Sequence, residues 1–122
     1  MKVLLGVGGS PDAIDALDRT IERAAAVEDD LTVAVLSNPE SDQSVEAVET
    51  LVEERLADAA LEARVRRFET EPASRLVTVA EEEGFDEIVL GGGEQSPMGK
   101  IRLGHIAEFV VLNASVTVTL VR

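Results

Sequence analysis

The last third of the chain, residues 87–122, most narrows what the whole can fold into. A short apolar run at 88–90 (Ile88, Val89, Leu90) leads directly into three glycines, Gly91, Gly92 and Gly93. A polar stretch with Pro97 and Gly99 follows. An apolar segment then opens at Ile101, with Ile101, His105, Phe109 and Leu112 at helical spacing and Ile106 and Val110 beside them. The spacing predicts a helix from Ile101 with that stripe as its inner face, closed by Asn113. Residues 116–121 then read as a further strand. Strand, glycine loop, helix and strand in this order aim free amide N–H groups and a helix N-terminus at one point, which suits an anion such as phosphate.

The first two thirds repeat the alternation. Residues 2–7 are nearly all apolar, as in a strand buried on both faces. They end in Gly8, Gly9, Ser10 and Pro11, where Ser10 suits an N-cap and Pro11 the first helical position. Ile14, Leu17, Ile21 and Ala24 form the inner face of a first helix. A second strand is predicted over 31–36. A second helix, from about 44 to 61, carries Val45, Val48, Val52, Leu56 and Ala59. Residues 64–69 are a weaker strand whose polarity fits a sheet edge. Pro72 opens a third helix with Ala73, Leu76, Val77 and Ala80 inward, and Gly84 ends it in a left-handed cap. Five strands and four helices with short connections predict a single α/β domain over 1–122, a doubly wound parallel sheet with helices on both faces.

Charge narrows the function. There are 24 acidic residues against 11 basic ones, a net charge of -13, and only Lys2 and Lys100 are lysine. Phe68, Phe85 and Phe109 are the only aromatics. Such a surface repels phosphate backbones and offers little on which bases could stack, so nucleic acid is not an expected partner. The acidic excess fits a protein from a cytoplasm holding molar salt, as in a halophilic archaeon, or simply a solvated acidic surface. Cysteine is absent, which excludes disulfides and thiolate metal sites. No apolar run reaches the length of a membrane span, and a cytoplasmic protein without a membrane partner is expected.

Several motifs fail on inspection. Residues 6–11 begin like a dinucleotide fingerprint, but its last glycine is Pro11. Gly99 and Lys100 begin like a P-loop ending, but the upstream glycine is Glu94 and the magnesium hydroxyl is Ile101. His105, the only histidine, has no recognisable nucleophile and carboxylate set around it, so no catalytic residue is assigned. At most, slow ATP hydrolysis is expected.

Gly91 and Gly104, with Ile88, Val89 and Leu90 before them and Ala107, Glu108, Asn113 and Ala114 after, carry a resemblance. Their separation resembles the C-terminal signature of the universal stress protein family. There a strand ends in glycine, followed by glycine after two residues and glycine with a hydroxyl residue after nine more. The resemblance implies an adenine-nucleotide-hydrolase-like sheet of order 3-2-1-4-5, with the ligand crevice between strands one and four. It further implies a nucleotide shell drawn from Gly8, Gly9, Ser10, Val35, Gly91, Gly92, Gly93, Glu94, Gly99, Lys100, Gly104 and His105. In that shell the glycines surround the triphosphate of ATP, and Val35 meets adenine through its backbone. Three positions depart from the family: Glu94 replaces a glycine, His105 a hydroxyl residue, and Gly8 an aspartate that contacts the nucleoside. A regulatory stress-response domain with a degenerate ATP loop and no tight nucleotide binding is therefore expected. The alternative is a protein binding ATP with magnesium, the ion bridging Glu94 and the phosphates. Family dimers pair the last strand with its twin, which implies a homodimer through Val116, Thr117, Val118, Thr119, Leu120 and Val121, with room for an unidentified protein partner.

Overall fold

The computed structural model describes residues 1–38, 43–91, 94–95, 101–102 and 104–121, and of residues 94, 95, 101 and 102 only the backbone. The elements run β1 (Lys2–Val7), α1 (Pro11–Val27), β2 (Asp30–Leu36), α2 (Val45–Asp58), β3 (Arg64–Phe68), α3 (Pro72–Glu82), β4 (Glu87–Gly91), β5 (Glu94–Gln95), β6 (Ile101–Arg102), α4 (His105–Asn113) and β7 (Thr117–Val121). The main sheet has the order β3-β2-β1-β4-β7 with every pairing parallel. This is the expected 3-2-1-4-5 arrangement, with β3 and β7 at the edges.

Strand alternation divides the core between two layers. Val3, Leu5, Val7, Val33, Val35 and Val89 point to one face and pack on Ala16, Leu17 and Ile21 of α1 and Val48, Val52 and Leu56 of α2. Leu4, Ala34, Leu36, Ile88 and Leu90 point to the other, against Leu76, Val79 and Ala80 of α3 and Ala107 and Val110 of α4. Burying a side chain of this size contributes about 1.5–3 kcal/mol, so β1, β2 and β4 form the rigid centre. Gly6 lies on the second face, where a Cβ would come 2.7 Å from Leu90 Cδ2 and 3.1 Å from Leu36 and Leu76. Its lack of a side chain lets three leucines close over β1.

The chain starts α1 and ends α3 where the residues predict. Ser10 caps α1 by accepting from Ala13 N at 3.4 Å, and Pro11 is the first helical residue. Gly84, with φ of 71°, reverses the chain after α3.

The second helix ends earlier than expected, at Asp58, which leaves Ala59 as an exposed C-cap. Two further expectations fail in the last third. The helix predicted from Ile101 starts at His105, because Gly104 takes an extended conformation as N-cap, while Ile101 and Arg102 pair with Gln95 and Glu94 in a small antiparallel ribbon. The inner stripe is also shifted. His105, Phe109 and Leu112 face outward, Leu112 at 75% exposure, while Ala107 and Val110 are buried. The cause is packing: apolar residues lie all round this helix, and the face turned to α3 and β7 is the one bearing the smaller residues. Among the described residues no helix is long and apolar enough to cross a membrane.

Candidate functional site

The strand order reverses between β1 and β4, so the connections leaving their C-terminal ends diverge and leave a crevice. A cavity of about 150 Å³ lies there, lined by the ends of β1, β2 and β4 and the starts of α1 and α4. Its apolar wall is made by Leu36, Leu90, Ile106 and Ala107, and its polar groups come from Ser10, Asp12, Asn38 and His105.

Glycines shape the opening for different reasons. Gly9 has φ of 86°, a left-handed turn between β1 and α1 that favours glycine. At Gly91 the reason is close approach: a Cβ would stand 2.8 Å from Ala13 N and from Asp12 Oδ2, and 2.9 Å from Asp12 C. The first turn of α1 therefore rests directly on the end of β4. Gly104 is different again, since among the described residues a Cβ there would meet nothing within 4 Å.

The two helix ends at the cavity are capped differently. The α1 end is capped by the Ser10 hydroxyl and carries Asp12 in its first turn. The α4 end, whose N-cap is Gly104, has no side-chain cap bond among the described residues, and its first-turn Glu108 is exposed and outside the cavity lining. Its amide groups and partial positive charge favour an anion on that side, while the Asp12 carboxylate repels one on the other. The cavity can hold a partly apolar ring with one anionic group directed at α4. Among the described residues no three His, Asp or Glu side chains gather to hold a metal ion.

Of the residues expected around a nucleotide, the fold brings Gly8, Ser10, Gly91, Gly104 and His105 to this cavity. Gly9 shapes the turn behind it. Val35 is fully buried in the core and is not part of the wall; β2 contributes Leu36 and, just beyond its end, Asn38. Gly92, Gly93, Gly99 and Lys100 lie outside the described residues, and Glu94 is described only by its backbone in the ribbon. Asp12 and Asn38 were missed by sequence reasoning. Their position just past strand ends on the crevice side was the signal available for both.

The comparisons with known proteins agree with this geometry. The family model described as the Universal stress protein family matches residues 1–122. No curated protein sequence matches the chain. A universal stress protein solved in complex with cAMP is 26% identical, with a TM-score of 0.77 over 100% of this chain and 96% of its own. UspA of Lactobacillus plantarum is 17% identical, with a TM-score of 0.80 over 100% and 97%. The universal stress protein of Archaeoglobus fulgidus in complex with dAMP is 20% identical, with a TM-score of 0.75 over 100% and 98%. Matched along its whole length by the family model, and similar in structure to these proteins over its full length, the chain belongs to the universal stress protein family.

Proposed function

We propose that this domain is a stress-response regulator that takes an adenine nucleotide of low charge, a linear or cyclic monophosphate, between the ends of β1 and β4. ATP binds weakly or not at all. The observation that carries this reading is the contrast in the cavity lining, where the α4 N-terminus has no side-chain cap bond among the described residues and its Glu108 lies outside the lining, while the Asp12 carboxylate is part of it. One phosphate can sit at the helix end and leave Asp12 at a distance. Each further phosphate charge brought to about 4 Å of a carboxylate costs about 1 kcal/mol in water and about 4 kcal/mol in a partly dry cleft. A neutral N–H contact, at about 0.5–1.5 kcal/mol, offsets little of that. The relatives solved with cAMP and with dAMP support the ligand class.

Calorimetry with AMP, cAMP and ATP plus magnesium, at molar potassium chloride, tests the order. The expected result is measurable monophosphate binding, with ATP weaker than millimolar. Glu94→Gly together with His105→Ser should strengthen ATP. Micromolar ATP affinity in the unaltered protein, with no gain for AMP, overturns the proposal in favour of a magnesium-bridged triphosphate site.

The working unit in this reading is a cytoplasmic homodimer joined through β7. Among the described residues β7 pairs only with β4, which leaves one edge of a β-forming strand open. Beside it, α4 exposes Phe109 at 40% and Leu112 at 75%. A second copy related by a two-fold axis covers both the edge and the apolar patch. Sedimentation at micromolar concentration should give one dimeric species, and Val118→Pro should convert it to monomer. A monomeric parent protein overturns the assembly.

A further inference from the structure

Gly8 and Asn38 compete for one volume. A Cβ on Gly8 would lie 3.3 Å from both Cβ and Nδ2 of Asn38 and 3.7 Å from its Cγ. The positive-φ glycines include Gly9 and Gly84 but not Gly8, so the backbone does not call for glycine at this position. Space does. The side chain that would leave the end of β1 is absent, and one from just beyond β2 lies over the gap. Both residues line the cavity.

We infer that Asn38 is the specificity-determining contact for the nucleoside part of the ligand, standing in from β2 for a side chain at position 8. This rests on the nucleotide reading above and names the residue that would select the ligand. The chemistry of the amide is different from that of a carboxylate. It offers two N–H donors and one carbonyl acceptor without charge, so it can serve a ribose hydroxyl and a ring nitrogen alike while keeping its contacts within the protein. Leu36, Leu90 and Ile106 wall the same cavity. Against such walls, a ligand without a hydrogen-bonding group at this point forgoes the contact with the amide, which makes the contact selective. An uncharged group also matters because Asp12 already supplies a negative charge there. A second carboxylate would oppose even a monophosphate.

The two positions should therefore behave as one unit. Gly8→Ala should lower the melting temperature by pressing on Asn38, and Asn38→Ala in the same chain should relieve most of that loss. An undiminished loss in the double variant overturns the shared-volume premise without any ligand. Binding is read by NMR titration with adenosine and with AMP. Asn38→Ala should weaken both by the same factor, about three- to tenfold, the size of one neutral hydrogen bond. Asn38→Asp should keep most adenosine affinity and lose more AMP affinity. Gly8→Asp with Asn38→Ala, which returns the polar group to β1, should recover adenosine binding relative to Asn38→Ala alone. If the unaltered protein binds both ligands and Asn38→Ala binds them equally well, the inference fails and the nucleotide reading stands. A loss confined to AMP makes Asn38 a phosphate contact and also overturns it. If the unaltered protein binds neither ligand, both fail.

Discussion

Two cavities flank the strands β1 and β4, one near each end, and they are built on opposite plans. The one at the C-terminal ends, about 150 Å³, has glycines at its rim and polar groups supplied by helix starts and loop residues. The other, about 120 Å³, lies toward the N-terminal ends between α1 and the β4–β7 edge, and in it Arg23 pairs with both Asp29 and Glu87. Glu87 is only 4% exposed. Its Oε2 accepts from the Thr119 hydroxyl, and its Oε1 has no hydrogen-bond partner but lies 3.6 Å from Arg23 Nη1. Arg23 also reaches Asp29 at 3.5 Å, and Asp29 meets the Met1 amino group at 3.4 Å. Parallel strands explain the asymmetry. At their C-terminal ends the chain enters helix N-termini, which present N–H groups outward; at their N-terminal ends it arrives from helix C-termini, which present carbonyl groups instead. One end of the sheet turns helix N-termini toward a cavity, and the other is a clamp between α1 and the edge strands.

The largest test of that contrast is Gly91→Ala. The atoms a new Cβ would meet are mainly backbone of α1, which cannot rotate away, so the first turn of α1 must shift off β4. Urea unfolding should show a loss of about 3 kcal/mol, at the upper end of overpacking costs, together with loss of nucleotide binding. A fully stable variant would mean that the two loops are less closely apposed than described. The clamp is tested next by Glu87→Ala, which leaves the Thr119 hydroxyl and part of the Arg23 charge without their partner. A loss of about 2 kcal/mol is expected, with ligand affinity unchanged. Glu87→Leu combined with Thr119→Val should restore much of it, since filling such a site with apolar groups often matches the pair it replaces. An affinity that falls with Glu87→Ala would show that the cavities are not independent.

The central strands were legible in the sequence, while the two cavities were only half so. Residues 2–7 became β1 without correction, since an uninterrupted apolar run bounded by glycines has one good home in a parallel sheet. The polar 64–69 stretch was placed at an edge for a reason that held, and β3 lies there. At α4 the pattern misled. Apolar residues occupy nearly every position from Ile106 to Leu112 except Glu108, so periodicity could not choose a face, and packing against α3 chose the smaller side chains. The crevice followed from topology, but the approach of Asn38 to Gly8 joins residues 30 positions apart through neighbouring strands. Glu87 was invisible for a related reason: a charged residue at a strand start reads as exposed unless its partners on α1 and β7 are known.

The smallest effect separates the buried clamp from the ion pairs at the surface. Arg67 on β3 grips Glu49 of α2 through Nε at 2.7 Å and Nη2 at 3.2 Å. The hydrogen bond from Arg67 holds the Glu49 carboxyl below its ordinary range, aided by their opposite charges and opposed by desolvation. A lowered carboxylate pKa stabilises the fold fully above the unfolded value, and this contribution fades as pH falls through the folded value. The stability difference between the unaltered protein and Arg67→Met should therefore be constant near neutral pH and close toward zero in acid below the usual carboxylate range. Salt gives the matching test. With a net charge of -13, melting temperature should rise toward molar potassium chloride as carboxylate repulsion is screened. Over the same range the Arg67→Met difference should shrink, because an exposed pair is screened as well. The Glu87→Ala difference should shrink less, because the Glu87 carboxylate is buried and accepts from Thr119, and only its Arg23 partner is half exposed to the screening ions. A flat melting curve would mean that the acidic surface is no adaptation to salt, and a Glu87→Ala difference that fades with salt as much as the Arg67→Met difference would mean that the clamp is a surface pair after all.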